Sequence, residues 1–284
     1  MWLALAFASA FFAGIGAVLS KAAKDGIDPD AASAVRFTVI FILAWISPIV
    51  TGSVRSLTEI GAVDFLYLIL SGIAMGGSWL CYFKALSLGD VNRVVPVDKS
   101  SVVLSMLLAF TVLHEEVTAL RILSMIIISA GTLLMFPKRG EKQKGGYSWL
   151  VFALLSALFA ALTSTLSKLG AAGVDADLGT AVRATVMLPM AWLIPILSGK
   201  ISEFKKIKPK AFFITFLSGA ATCLSWTVYY RALTDGPAGI VTPIEKLNLL
   251  VSVVLSYFIF GERLTKRFAL GISLITTGTF ILVI

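Results

Sequence analysis

The sequence predicts an all-α integral membrane protein with ten transmembrane helices in two inverted five-helix repeats. Hydrophobic residues make up 58% of the 284 residues and charged residues 14%, and the mean hydropathy is +0.93. One soluble core of this size cannot bury so much apolar surface. Apolar segments recur at about the ~20 residues that cross ~30 Å of hydrocarbon as helix. The second half of the chain also repeats the first at a constant spacing.

Ten apolar segments are predicted to be helices, because none alternates in the manner of a barrel strand. Their predicted bounds are 2–20, 31–51, 62–86, 92–113, 118–136, 149–167, 178–198, 211–233, 238–260 and 265–284. The first segment lacks the basic region of a signal peptide and recurs in the second half, which predicts a retained helix. Cys81 and Cys223 lie within spans and are interpreted as small apolar residues without a disulfide.

The repeat has an offset of 147 residues, the difference between 168 and 21. Residues match at this offset in ten places: Lys21 and Lys168, Arg36 and Arg183, Pro48 and Pro195, Gly72 and Gly219, Trp79 and Trp226, Tyr82 and Tyr229, Pro96 and Pro243, Lys99 and Lys246, Glu115 and Glu262, Gly131 and Gly278. A register held over half a chain indicates duplication. We predict a first repeat at 1–137, a basic linker at 138–148 and a second repeat at 149–284.

Five spans are an odd number, so the second repeat is predicted to enter the membrane in the opposite sense. The loop after the seventh span is basic, whereas its counterpart has only Arg55 beside Glu59. The basic loop holds Lys200, Lys205, Lys206, Lys208 and Lys210. The positive-inside rule then predicts a cytoplasmic linker and two extracytoplasmic termini, in the cell inner (plasma) membrane. The net charge of +8 follows this topology and does not indicate nucleic-acid binding.

Several motifs resemble one transporter family over nearly the whole chain. They are Leu19-Ser20-Lys21 and Leu166-Ser167-Lys168, Val35-Arg36-Phe37 and Val182-Arg183-Ala184, Pro96 and Pro243, and Gly261-Glu262-Arg263-Leu264-Thr265. Their order resembles the drug/metabolite transporter superfamily in its ten-helix form with two EamA-type domains. The first half departs from the last motif at His114-Glu115-Glu116-Val117-Thr118. The resemblance implies a secondary carrier of small organic metabolites with a central cavity that opens to alternate faces.

The principal candidate site is the stretch 94–101, whose counterpart is 241–248. Each places a proline, an acid and a lysine in an otherwise apolar span, where charge is costly and indicates function. Helical spacing puts Asp98, Ser101 and Ser105 on one face, and Glu245, Asn248 and Ser252 on another. Sequence neighbours do not face each other on a helix, so Asp98 is predicted to meet Lys246 and Glu245 to meet Lys99.

Other embedded residues extend the candidate site. Arg36 and Arg183 are competing partners for the acids or direct cavity contacts, and a static salt-bridge network is the structural alternative. Trp79 and Tyr82, repeated as Trp226 and Tyr229, are either helix packing or aromatic walls for an amphipathic or cationic guest.

The remaining single residues have weaker interpretations. Pro96 and Pro243 are either helix-start prolines or hinges. Lys21 and Lys168 are interpreted as snorkelling to the interface, and His114 as interfacial.

The sequence therefore favours a secondary transporter of an amino acid-, sugar- or drug-like metabolite, with alternating access and a proton on Asp98 or Glu245 as a coupling alternative. The predicted partners are a small-molecule substrate, the lipid bilayer and protons, and internal duplication predicts a competent monomer. No nucleotide loop, metal-ligand spacing or nucleophile elbow is present, so no enzyme activity, cofactor or metal is predicted. The alternatives are a flippase or lipid-linked carrier, and a non-transporting membrane accessory protein.

Overall fold

Helices supply the regular structure throughout the described chain. The structure, a computed structural model, describes residues 1–89, 91–135, 147–171, 173–262 and 265–283. Its α-helices are α1 Trp2–Ala23, α2 Pro29–Thr51, α3 Ala62–Leu88, α4 Val91–Lys99, α5 Ser101–Thr111, α6 Ala119–Leu134, α7 Ser148–Leu169, α8 Ala176–Leu197, α9 Pro209–Asp235, α10 Ala238–Glu245, α11 Asn248–Phe260 and α12 Lys266–Ile281. Short 3-10 helices occupy Lys24–Gly26, Ser53–Thr58 and Lys200–Lys206. Residues 138–146 of the predicted linker, and 263–264 of the last motif, lie outside the described residues.

Eight helical segments of the described chain are long and apolar enough to cross a membrane. Two of them join consecutive helices, with α4 and α5 in Arg93–Thr111 and α10 and α11 in Ala238–Phe260. The chain is thus an all-helical, multi-pass membrane protein, as predicted. α6 and α12 have 16 residues each, or about 24 Å of helix, so their crossing stays a prediction.

Helix starts recur at the repeat offset. The Asp28 carboxylate accepts the N–H of Asp30 at 3.0 Å, and the Asp175 carboxylate accepts those of Asp177 and Leu178 at 3.1 Å each. These bonds satisfy amides that the first turn of a helix leaves free. The local chemistry that begins α2 therefore also begins α8.

The lysine-rich loop lies at the same end of the bundle as the start of α2. Lys200 binds Asp30 at 2.7 Å and Asp28 at 3.2 Å, and the Lys208 N–H donates to the Gly26 carbonyl at 3.0 Å. Hydrogen bonds to Asp30 and Asp28 raise the pKa of Lys200 above its usual value. The lysine-rich loop and the connection between α1 and α2 therefore share one end of the fold.

The first helix of each half packs against the other half: α1 lies along α9 of the second half, and α7 lies along α3 of the first. Equivalent serines hold both contacts. Ser225 donates to the Ser9 carbonyl at 2.9 Å, and Ser78 donates to the Ser156 carbonyl at 3.0 Å. Each pair maps onto the other at the offset of 147, so the packing repeats together with the sequence.

α2 and α8 form a further contact between equivalent helices. The indole of Trp45 donates to the Thr185 hydroxyl at 3.0 Å, and the indole of Trp192 donates to the Thr38 hydroxyl at 3.0 Å. Indole N–H groups need an acceptor when they are withdrawn from water. These reciprocal bonds fix the register of α2 on α8.

α6 crosses α12 at glycines. A Cβ added at Gly131 would lie 2.7 Å from the backbone oxygen of Gly271, which cannot move aside as a side chain could. We expect Gly131→Ala to lower the free energy of unfolding by about 1–3 kcal/mol, the usual cost of overpacking, seen as a lower melting temperature in detergent. Gly77→Ala is the control, because its Cβ would meet its nearest neighbour at an ordinary 3.5 Å. Equal destabilisation by the two changes would contradict the expectation.

Candidate functional site

The predicted spans 92–113 and 238–260 are not unbroken helices. α4 and α5 separate at Ser100, and α10 and α11 separate at Lys246 and Leu247. At both breaks the backbone tightens to a bond three residues back, from Ser100 to Val97 at 3.1 Å and from Leu247 to Ile244 at 3.0 Å. The bounds predicted from the sequence agree with the candidate spans Arg93–Thr111 and Ala238–Phe260, but the break within each span was not predicted.

Each break follows a proline within its helix. Pro96 lies inside α4 and Pro243 inside α10, and each precedes its break by four residues or fewer. An interior proline removes one backbone hydrogen bond and crowds the preceding turn, which bends a helix. The positions favour the kinking alternative over the helix-start one. A hinge function stays a prediction.

The acids at the breaks pair with their own neighbours. Lys246 Nζ lies 3.0 Å from the Glu245 carboxylate, and Lys99 Nζ lies 4.0 Å from the Asp98 carboxylate. The crossed pairs predicted from the sequence, Asp98 with Lys246 and Glu245 with Lys99, form no salt bridge within the described residues, although both pairs interact electrostatically. The side chains of sequence neighbours point 100° apart within a regular helix. Here the helix ends at the acid–lysine pair, and the lysine ammonium lies near the carboxylate of its own neighbour.

The two pairs form one charged cluster, defined as Asp98, Lys99, Glu245 and Lys246. Lys99 interacts electrostatically with both Glu245 and Lys246, and Lys246 with Asp98. The four side chains are 16–25% exposed. The cluster is thus a net-neutral charged group set within two membrane-spanning segments.

Hydrogen bonds hold the acids of the charged cluster in place. Asp98 accepts the hydroxyl of Ser156 on α7 at 2.8 Å, and Glu245 accepts the side-chain amide of Asn248 at 2.9 Å. Ser101 is 2% exposed, at the start of α5. Asn248 therefore lies beside its acid as predicted, whereas the hydroxyl on Asp98 comes from Ser156 of α7 and the placement of Ser101 beside Asp98 stays a prediction.

Two of the four predicted aromatic residues adjoin the charged cluster. The Tyr229 hydroxyl hydrogen-bonds Thr242 at 3.0 Å and interacts electrostatically with Glu245. Tyr82 interacts in the same way with Asp98. These tyrosines could present hydroxyl groups to a molecule held at the cluster.

The tryptophans lie instead around α2. Phe37 packs against Trp79 with ring centroids 5.3 Å apart and against Trp226 at 6.0 Å. The Arg36 guanidinium lies 5.2 Å from the Trp79 ring centroid and donates to the Thr222 hydroxyl at 2.9 Å. Arg36 is thus held by an aromatic face and a neutral hydroxyl.

Arg183 has an equally neutral environment. It is 3% exposed, lies 5.7 Å from the Tyr230 ring centroid and donates to the sulfur of Met75 at 3.3 Å. The Nε atoms of Arg36 and Arg183 are buried without a hydrogen-bond partner, and neither guanidinium has a salt bridge within the described chain. The alternative in which these arginines neutralise the acids is wrong. Among the described residues, these two buried positive charges have no counter-charge.

Comparison with known protein families matches each half of the chain separately. A family model described as "EamA-like transporter family" matches residues 1–136 and again residues 147–284. The chain belongs to the EamA-like transporter family. A relative from Sinorhizobium sp, named "Uncharacterized transporter in cobO 3'region", is 35% identical over 137 residues, which are 48% of this chain and 97% of that protein. Family and relative both point to a transporter and away from an enzyme.

A solved structure supports the fold of this EamA-like protein. It is described only as "Crystal structure of protein" and superposes with a TM-score of 0.78 at 15% identity, covering 99% of this chain and 96% of that one. At this identity the likeness concerns the fold alone.

Sequence reasoning missed the role of two residues at one end of this EamA-like protein. The Glu115 carboxylate accepts the backbone N–H of Ala238 at 2.5 Å and of Gly239 at 3.0 Å, where α10 begins. The Lys168 ammonium donates to three carbonyl oxygens at the end of α9, those of Leu233 at 2.5 Å, Thr234 at 3.2 Å and Gly236 at 2.9 Å. Lys168 is thus anchored on backbone, which the snorkelling interpretation did not foresee.

The equivalent residues at the other end are arranged differently. Lys21 pairs with Glu262, and its ammonium lies 5.1 Å from the Phe260 ring centroid. A pocket of about 320 Å³ adjoins this pair and is also lined by Ser252 and Ser256 of α11. The repeated lysine and glutamate were visible in the sequence, but their different partners were not.

The turn before each glutamate is the same. His114 has a φ of 52°, and Gly261, its equivalent at the repeat offset, has a φ of 69°. A left-handed conformation suits glycine and is uncommon for a residue with a Cβ. His114 is exposed, in line with its interfacial interpretation, and it turns the chain so that Glu115 points at α10.

Proposed function

We propose that this chain is a secondary transporter that moves a small organic metabolite across the membrane by alternating access. The observation that carries the proposal is the charged cluster, in which two equivalent broken helices bring an acid–lysine pair each. Charged side chains in a membrane interior are costly and usually line a substrate or ion path. Broken helices that meet between two repeats are the usual setting of carrier sites. Membership of the EamA-like family supports the same conclusion.

The proposed architecture has ten crossings in two inverted repeats, 1–137 and 149–284, joined by the linker 138–148. α6 and α12 would be the fifth and tenth crossings. The matched contacts at an offset of 147 support the duplication, and so does a relative that 137 aligned residues nearly span. Both termini would be extracytoplasmic, in the cell inner membrane, and one chain would suffice for transport.

The proposed substrate carries an anionic group, which Arg36 and Arg183 bind. Both guanidinium groups have an unsatisfied buried Nε, and neither has an acidic partner in the part of the chain that the structure describes. An uncompensated buried cation is strongly unfavourable, and a carboxylate or phosphate is the group that a guanidinium binds best. The arginines therefore favour an acidic metabolite over the cationic guest that the aromatic residues suggested. Asp98 or Glu245 could take up the coupling proton.

Purified protein in liposomes tests the proposal. A panel of metabolites is first screened by thermal shift, since a ligand present at 100 times its Kd adds about 2.7 kcal/mol to the apparent stability. We expect an acid-bearing metabolite to raise the melting temperature and to accumulate in the liposomes, while its neutral amide does neither. Uptake equal to that of protein-free liposomes for the whole panel would contradict a transport function.

A further inference from the structure

We infer that Glu115 and Lys168 form the closed gate at one end of the transport path, and that Glu262 and Lys21 form the same gate, open, at the other end. The inference rests on the proposed function. It assigns a role to four residues outside the charged cluster. It also states which end is closed in this structure.

The two residues of the closed gate bind the two sides of the turn between α9 and α10. Lys168 lies on the carbonyl end of α9, and Glu115 lies on the amide end of α10, so each charge meets the helix pole of opposite sign. The Glu115 side chain is only 11% exposed. A Cβ at Gly239 would come within 3.3 Å of the Ala109 Cβ, so α5 and α10 leave no passage there.

At the open gate the equivalent residues have different contacts within the described part of the chain. At the repeat offset, the targets of Glu262 would be the amides of residues 91 and 92, and those of Lys21 would be the carbonyls of residues 86, 87 and 89. Lys21 and Glu262 instead bind each other and are 35% and 53% exposed. The adjoining pocket of about 320 Å³ contains Ser252 and Ser256. Asn248 lies one turn further along that face of α11 and contacts Glu245, so the pocket leads towards the charged cluster.

One difference between the halves favours the observed state. Arg121 lies 3.8 Å from Glu115 and adds a second cation to the closed gate. Its equivalent in the second half is Phe268, which lines the open pocket. The second gate therefore lacks one attraction that holds the first gate shut.

Switching would exchange these contacts between the gates. Glu115 would leave α10 and pair with Lys168, while Glu262 would cap α4 and Lys21 would bind the end of α3. Each state keeps one helix-bound glutamate and one lysine–glutamate pair. Such states lie close in free energy, and small differential contacts can then shift the population between them.

Thiol labelling of purified protein tests the gates. In a background with Cys81→Ala and Cys223→Ala, the reporters are Ser256→Cys in the open pocket and Ala109→Cys, its equivalent at the closed gate. We expect a hydrophilic maleimide to label Ser256→Cys at least about tenfold faster. Glu115→Gln removes charged hydrogen bonds that hold the first gate shut. We therefore expect it to slow the labelling of Ser256→Cys and to speed the labelling of Ala109→Cys by about tenfold each, which together is a shift of about a hundredfold, or about 2.7 kcal/mol, in the ratio of the two states.

Glu116→Gln is the control, because Glu116 is the exposed neighbour of Glu115 and should leave both labelling rates unchanged. The inference is overturned if Glu115→Gln changes neither rate or raises both, since a merely structural contact would loosen the protein without an exchange. Labelling needs no substrate. If the labelling rates exchange but the protein transports nothing in liposomes, the gates are supported and the proposed function is refuted. If the protein transports but the labelling rates do not exchange, the proposed function is supported and the gates are refuted.

Discussion

Glu245→Gln is expected to lower the transport rate in liposomes about a hundredfold while the protein stays folded and monodisperse. The change leaves the Lys246 ammonium without the carboxylate that lies 3.0 Å away, inside a membrane-spanning segment. A hundredfold lower rate corresponds to about 2.7 kcal/mol of additional activation free energy. This is less than the ~3–5 kcal/mol that breaking a buried ion pair costs. Asp98→Asn is expected to act in the same direction, but less strongly, because its lysine is 4.0 Å away.

A double variant separates structure from transport at this pair. Glu245→Gln with Lys246→Met removes both charges, and neutral replacement of a buried pair often restores stability. We expect the melting temperature to recover and transport to stay absent. Recovery of transport in the double variant would mean that the charged cluster only packs the helices. Glu203→Gln is the control, because it breaks an acid–lysine pair of 2.6 Å that lies in the 3-10 helix Lys200–Lys206, outside the membrane-spanning segments, with the Lys206 side chain 68% exposed.

Arg183→Leu is expected to abolish uptake of the acidic substrate without lowering the melting temperature. Most salt-bridged cations stabilise a fold through their acid. Arg183 is 3% exposed, and its partners within the described residues are a thioether and an aromatic face. Its removal relieves an uncompensated buried charge, so stability should stay level or rise. The thermal shift produced by the acidic ligand should disappear at the same time.

Arg231→Leu provides the matched comparison on α9. Arg231 donates to both oxygens of the Asp177 carboxylate at 2.8 Å, and Asp177 is 4% exposed. Its loss leaves a buried carboxylate without its cation, so the melting temperature should fall. An equal fall in Arg183→Leu would show that Arg183 is structural and would remove the argument for an anionic substrate.

The helical fold and the placement of charge could be predicted because they depend on the sequence directly. Segment length and apolarity predict a membrane helix, and a constant offset brings Asp98 and Glu245 to equivalent places whatever the details. The pairing could not be predicted in the same way. It depends on the breaks at Ser100 and Lys246, and these arise where an interior proline and the packing of neighbouring helices act together.

The contacts of Glu115 and Lys168 were beyond sequence reasoning for another reason. Both side chains bind backbone amides or carbonyls, and every residue supplies those groups. No complementary residue type therefore marks their partners. The one available signal was the recurrence of glutamate and lysine at the repeat offset, and it gave positions without partners.

The reciprocal bonds between α2 and α8 bear on how the two halves can diverge. Thr38 accepts from Trp192 while its duplicate Thr185 accepts from Trp45, so each half supplies the surroundings of the other. A substitution at Thr38 changes the environment of Trp192, and Trp45, the duplicate of Trp192, lies beside Thr185. A change at one of these four positions therefore alters the environment of a residue in the other half, so we expect substitutions along the contact between α2 and α8 to be epistatic between the two halves.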